Sequence, residues 1–221
     1  MFIGHIAVAY AAKKATPKTS LGTLFLATQL PDLLWPVFLL LGLEHAAIVP
    51  GSTAVTPLVF TDYPLSHSLL ADLGWGLLLA GLYVLLKKNA RGALLLCACV
   101  VSHWVLDAIS HRPDMPLYPG GHIFVGLGLW NSKLGTVTIE MGMLIAGMAI
   151  YLGATRARDR IGVWSFRLLN MLLVAIYFAN LFGPPPPSMA AVAYAGIVGG
   201  WLIVVWGAWI DRHRTAAAAS P

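Results

Sequence analysis

The chain has 221 residues, of which 58% are hydrophobic and only 10% charged, and its mean hydropathy is +0.77. A soluble domain of this size carries about 25% charged residues, so the composition excludes a soluble globular fold and predicts an all-α, polytopic membrane helix bundle. The net charge of +5 comes from short basic clusters between apolar segments. That pattern excludes the continuous basic face of a nucleic-acid-binding protein and fits orientation in a bilayer.

In chain order, Phe2 to Ala12 is apolar but too short to cross a membrane. It reads as a retained re-entrant or interfacial half-helix rather than a cleaved signal peptide, because no basic region precedes it. Six segments approach the roughly 20 residues that a span needs: Leu21–Leu43, Ser66–Leu86, Gly92–Ser110, Leu134–Ala154, Trp164–Phe182 and Met189–Ile210. Twelve of the fourteen Lys and Arg residues fall in alternate connections, at 13–18, 87–91, 156–167 and 212–214; only Arg112 and Lys133 fall in the others. The positive-inside rule then places both termini in the cytoplasm of a multi-pass inner-membrane protein. The loops Glu44–Leu65, His111–Lys133 and Gly183–Ser188 face outward. The Pro- and Gly-rich stretch Arg112 to Gly121 is expected to fold over the outer mouth. Ala191, Ala195 and Gly199, spaced by four, are expected to let helices approach closely. Cys97 and Cys99 point to different sides of one helix and read as packing thiols. The organisation expected is a single transmembrane domain, with a motif-bearing half over 1–120, a helical half over 121–210 and a flexible tail over 211–221.

Ionisable groups inside apolar spans are costly and mark candidate sites. Residues Val100 to Pro113 read VVSHWVLDAISHRP. His103, Asp107 and His111 follow at steps of four, which turn a helix by about 40° each, so they share one stripe. Counting about 1.5 Å per residue places Asp32 and His103 near the midplane and His67 and His111 near the outer boundary, with His5 about 12–14 Å deep. The polar residues thus outline a funnel that narrows inward. Asp32, beside Pro31, has a second reading as a group satisfying backbone at a kink. Glu140 is a candidate general base or a partner for Lys133 or Arg112. His45 and His122 read as solvated, and His213 as part of the basic end.

Imidazole and carboxylate groups from separate helices suit a divalent metal, zinc first and iron or manganese next. The predicted ligands are His5, Asp32, His67, His103 and Asp107, with Glu140, His111 and Arg112 in catalytic or substrate-holding roles. An open position on such a site would generate a metal-bound hydroxide near neutral pH.

Four short motifs occur in order over roughly residues 1–120: Gly4-His5, Leu30-Pro31-Asp32, Ser66-His67-Ser68 and Ser102-His103 with Asp107. Together they resemble the bacterial LexA-binding, inner-membrane-associated metal-dependent hydrolases. The resemblance implies a membrane-bound hydrolase whose metal ligands lie in these motifs. Many members continue Leu-Pro-Asp with another acidic residue and a histidine. Here the continuation is Leu33-Leu34-Trp35, which cannot bind metal, so the resemblance implies fewer ligands than a two-metal site needs.

The function expected is a membrane-embedded hydrolase attacking a phosphoester or ester of a lipid-like substrate from the outer side, with Arg112 holding an anionic headgroup. The alternative is a non-enzymatic accessory subunit of a larger membrane complex, its His/Asp cluster structural or ligating a cofactor. A proton or metal conduit is a third reading, disfavoured because the inner halves of the spans lack a polar ladder apart from Asn170.

Overall fold

The first apolar segment forms α1 (Ile3–Ala15), and it lies inside the bundle rather than along its surface. Ile3, Ile6, Ala9 and Tyr10 are fully buried, and α1 packs against α7 (Lys133–Ala154) over most of its length. Gly147 makes the crossing close, because a Cβ there would sit 2.5 Å from the Ala7 carbonyl oxygen. Of the two placements expected for the N-terminal helix, burial favours the inserted one. The computed structural model describes residues 1–217.

The single span expected over Leu21–Leu43 is instead two helices, α2 (Leu21–Thr28) and α3 (Leu30–Leu40), bent by 54° at Gln29. Pro31 explains the break, since it donates no amide to the preceding turn and suits the first turn of a new helix. The second span also starts differently. His67 ends a separate short helix, α4 (Pro64–His67), and Ser68 then turns extended and caps α5 (Leu69–Lys87) by accepting the Ala71 amide. α6 (Ala90–Ser110), α7, α8 (Arg160–Phe182) and α9 (Met189–Arg212) begin at side-chain caps from Asn89, Ser132, Asp159 and Ser188, which is why their starts are sharp. Five of these helices are long and apolar enough to cross a membrane, or six if the bent pair is one span.

The close approach of α9 to α3 uses a neighbouring stripe to the one expected. A Cβ at Gly200 would lie 2.5 Å from Leu33, whereas nothing lies within 4 Å of one at Gly199, and Ala195 is exposed. Cys97 and Cys99 are buried and unpaired by disulfide, and Cys97 lies against Gly76 between α5 and α6.

One end of the bundle gathers the basic connections. Lys13 is buried there, its Nζ donating to the Thr19 carbonyl at 2.8 Å and to Asp211 Oδ2 at 2.9 Å. β5 (Thr155–Ala157) pairs antiparallel with β6 (Arg214–Ala216). The Arg214 guanidinium lies over the Tyr151 and Phe166 rings and donates to Thr155 and Gly162. Lys13 and Arg214 are therefore structural ties rather than free surface charges. A flexible tail was expected from residue 211, but α9 runs to Arg212 and β6 follows; residues 218–221 lie outside the described residues.

The opposite end is capped by two hairpins, β1 (His45–Ile48) with β2 (Leu58–Asp62), and β3 (Met115–Pro116) with β4 (Phe124–Val125). They close over an apolar cluster of Trp35, Tyr63, Trp104 and Met115. The Pro-rich segment does fold back, held where Trp104 Nε1 donates to the Pro116 carbonyl at 3.0 Å.

Candidate metal centre

The α6 stripe faces inward: His103 is fully buried, and Asp107 and His111 nearly so. Three other pieces meet it. α1 contributes His5, the α2–α3 break contributes Asp32, and α4 contributes His67. Asp107 divides its oxygens between two sides. Oδ1 accepts from the Met1 amino nitrogen and lies 3.1 Å from His5 Nε2. Oδ2 faces His103 Nε2 at 3.2 Å, His67 Nε2 at 3.8 Å and His111 Nε2 at 3.9 Å. Asp32 Oδ1 lies 3.4 Å from His67 Nε2 and 3.7 Å from His103 Nε2. All five residues expected to bind metal are thus brought together, with His111 at the edge.

Hydrogen bonds fix which ring nitrogen points inward. His103 Nδ1 lies 2.8 Å from the Thr28 carbonyl, which only accepts, so Nδ1 carries a proton and, in the neutral ring that binds a metal, Nε2 is the nitrogen with the lone pair. Ser66 Oγ donates to Glu44 Oε2 at 2.6 Å, so it receives the His67 Nδ1 proton at 2.7 Å. In the neutral ring, the His67 lone pair is then on Nε2. At the edge, His111 Nδ1 donates to Asp114 Oδ1 at 3.0 Å. This arrangement, an outer acceptor on one ring nitrogen and a free lone pair on the other, is the one that metal-binding histidines use.

Two overlapping trios, Asp32–His67–His103 and His5–His103–Asp107, place their ligand atoms within 4.8 Å of one another. Donors about 2.0–2.1 Å from a tetrahedral ion stand about 3.3 Å apart. The four contacts that join His67, His103, Asp32 Oδ1 and Asp107 Oδ2 run from 3.2 to 3.8 Å. His103 Nε2 is buried and makes no hydrogen bond of good geometry, although Asp107 Oδ2 lies 3.2 Å away. His5 differs: its Nε2 lies on the Asp107 oxygen turned away from this quartet, and its Nδ1 has no partner. Its ring stacks on that of His103 with centroids 3.8 Å apart. The exposed member is Asp32, whose side chain is 40% exposed while those of the other three are at most 4% exposed; this reverses the expected funnel, because the hairpins at the capped end bury His67 and His111.

The residues expected in catalytic roles are placed differently. Glu140 is buried and its Oε2 accepts the Phe2 and Gly4 amides at 2.9 and 3.2 Å. It caps the start of α1 and pairs with neither Lys133 nor Arg112, because an unpaired helix N-terminus attracts a carboxylate. Lys133 donates to the Leu181 carbonyl and lies over Phe182. Arg112 Nε donates to Asp114 Oδ2 at 3.1 Å, and its side chain is one-third exposed. Burial pushes His111 below its ordinary value against the pull of Asp114. Burial raises the Asp114 carboxyl, but hydrogen bonds from His111, Arg112 and Tyr63 outweigh it and hold the group below its ordinary value.

Three partners of the cluster were missed in the sequence, Thr28, Glu44 and Asp114, and so was a buried acid that bonds none of it, Asp72. Asp72 is fully buried on α5, and neither carboxylate oxygen has a partner. A carboxylate inside an apolar run, five residues after His67, was the signal for it.

A family model described as YdjM inner membrane protein matches residues 1–183. The chain belongs to this family. The match covers α1 through α8 and so includes every residue of the cluster. It supports an inner-membrane address for this multi-helix chain. No curated protein matches, and no solved structure matches.

Proposed function

We propose that this chain is a membrane-embedded, divalent-metal-dependent hydrolase acting on a phosphoester or ester of a lipid-like molecule. The observation that carries the metal is the convergence of buried His103 Nε2 and His67 Nε2 on the Asp32 and Asp107 carboxylates at 3.2 to 3.8 Å. His67, His103 and Asp107 would hold the ion with Asp32 as the exchangeable fourth ligand, because four fixed protein ligands would leave a tetrahedral ion no open position for water. Two nitrogens and two oxygens suit zinc, and also iron or manganese. When bound, such an ion supplies Lewis acidity to a coordinated oxygen. The residues of the chain do the rest. Thr28 and Ser66 hold the two imidazoles in one tautomer. His5 grips the outer oxygen of Asp107 and leaves the inner one free. Asp32 is the exposed side of the quartet. Arg112 offers a partly exposed positive charge beside the capped end, where an anionic headgroup would meet it. The excess of basic residues at the opposite end supports an outward-facing mouth and cytoplasmic termini.

Purified protein should contain about one equivalent of divalent metal, and His103→Ala should lose it. Metal content and hydrolysis of phosphoester or ester lipids in detergent, measured together, test the proposal. Metal-free protein with the quartet intact, or metal-replete protein inert toward both lipid classes, would contradict it. One observation favours the non-enzymatic alternative: the Met1 amino group and His5 already compensate Asp107. In that case the wild-type protein is metal-free, and His103→Ala melts at a lower temperature than it does, with no change in metal content.

A further inference from the structure

Glu44 has no reason from sequence to belong to the site, since it follows α3 at the turn into the first hairpin. The structure buries it completely. Its Oε1 accepts the Leu65 and Ser66 amides at 2.7 and 2.8 Å, and its Oε2 accepts the Ser66 hydroxyl at 2.6 Å. Ser66 is also fully buried, and its oxygen takes the His67 Nδ1 proton at 2.7 Å. A continuous chain therefore runs from a buried carboxylate through one hydroxyl to an imidazole whose other nitrogen faces Asp32 and Asp107.

We infer that Glu44 is a positioning residue of the metal centre, acting on His67 through Ser66. The inference rests on the metal-centre reading above. Each link has one direction. A carboxylate accepting three hydrogen bonds takes the Ser66 proton, so the Ser66 oxygen is left to accept. His67 is then held with Nε2 turned inward and Nδ1 as its protonated nitrogen, and the negative charge behind the ring makes Nε2 a better ligand to a cation. The extended backbone at Ser68 separates α4 from α5, so His67 is not carried by a long helix as His103 is. Its orientation depends on this relay.

The test uses the full-length purified chain in detergent, titrated with zinc against a chromophoric chelator. Ser66→Ala breaks the relay but leaves both backbone amides on Glu44, so α4 keeps its cap. It should weaken zinc binding about 10- to 100-fold, the usual cost of losing an outer partner of a metal-bound histidine. Ser66→Thr keeps the hydroxyl and should restore binding to within about threefold of wild type. Glu44→Gln should weaken binding like Ser66→Ala. Cobalt-substituted Ser66→Ala should show shifted visible d–d bands, which a fold defect alone would not produce. Wild-type zinc affinity in Ser66→Ala, or an equal loss in Ser66→Thr, overturns the inference. Wild-type protein that binds no zinc at all overturns the metal-centre reading instead.

Discussion

At the residue scale, the site depends on which atoms are already taken. Asp107 Oδ1 is occupied by His5 and the first amino nitrogen, while Oδ2 is left toward His103. His103 and His5, stacked ring on ring, are therefore not equivalent. His103→Ala should abolish metal retention through dialysis, whereas His5→Ala should retain the ion with affinity reduced about 10- to 100-fold; elemental analysis of both variants distinguishes the two. Asp72 gives a second expectation. Its oxygens have no donors, and a buried carboxylate without partners is costly to hold charged, so a neutral amide of the same size gives up no hydrogen bond. Asp72→Asn should leave the melting temperature unchanged or higher and the metal content intact; a loss of metal would make Asp72 a ligand. His103 and Asp107 were legible because a spacing of four inside an apolar helix has one geometric meaning. Thr28 and Glu44 were not, because a backbone carbonyl and a loop carboxylate acquire their roles only when distant segments meet. Glu140 was legible as a buried acid but not as a cap, since its partners lie some 136 residues away on α1.

At the scale of elements, α1 decides the architecture. It is the central strut, and its start brings His5 and the backbone amides that engage Glu140. Gly147 permits the contact between α1 and α7. Gly147→Val forces backbone and side chain into the same space and should destabilise by about 1–3 kcal/mol, read as a lower melting temperature in detergent; an unchanged value would mean the helices do not cross there. Hydropathy made the later spans legible to within a few residues, because side-chain caps coincide with the ends of apolar runs. It could not resolve the α2–α3 break or the separation of α4 from α5. In both places the apolar run continues while a Pro or Ser redirects the backbone, and Asp32 and His67 reach the centre through these two irregularities.

At the scale of the molecule, the two ends do different work. The capped end shelters the His/Asp cluster, and the basic end ties the chain together through Lys13–Asp211 and the β5–β6 pair. Asp159 belongs to this tie. Hydrogen bonds from His213 and from the Gly162 amide hold its carboxyl below its ordinary value. A group depressed on folding stabilises above its unfolded value and loses that contribution as pH falls through its folded one. Protection of the Arg214–Ala216 amides, corrected for intrinsic exchange, should be high at neutral pH and fall below about pH 4, and Asp159→Asn should remove this acid dependence. The positive-inside pattern predicts that a green fluorescent protein fused after the last residue fluoresces, while an alkaline phosphatase fused there is inactive. The central claim is that Asp32, His67, His103 and Asp107 form one divalent-metal site. X-ray absorption on purified, zinc-loaded protein tests it most directly. The account predicts only nitrogen and oxygen neighbours at about 2.0–2.1 Å, with outer-shell scattering from two imidazoles. Sulfur scattering at about 2.3 Å, or no bound zinc at all, would contradict it.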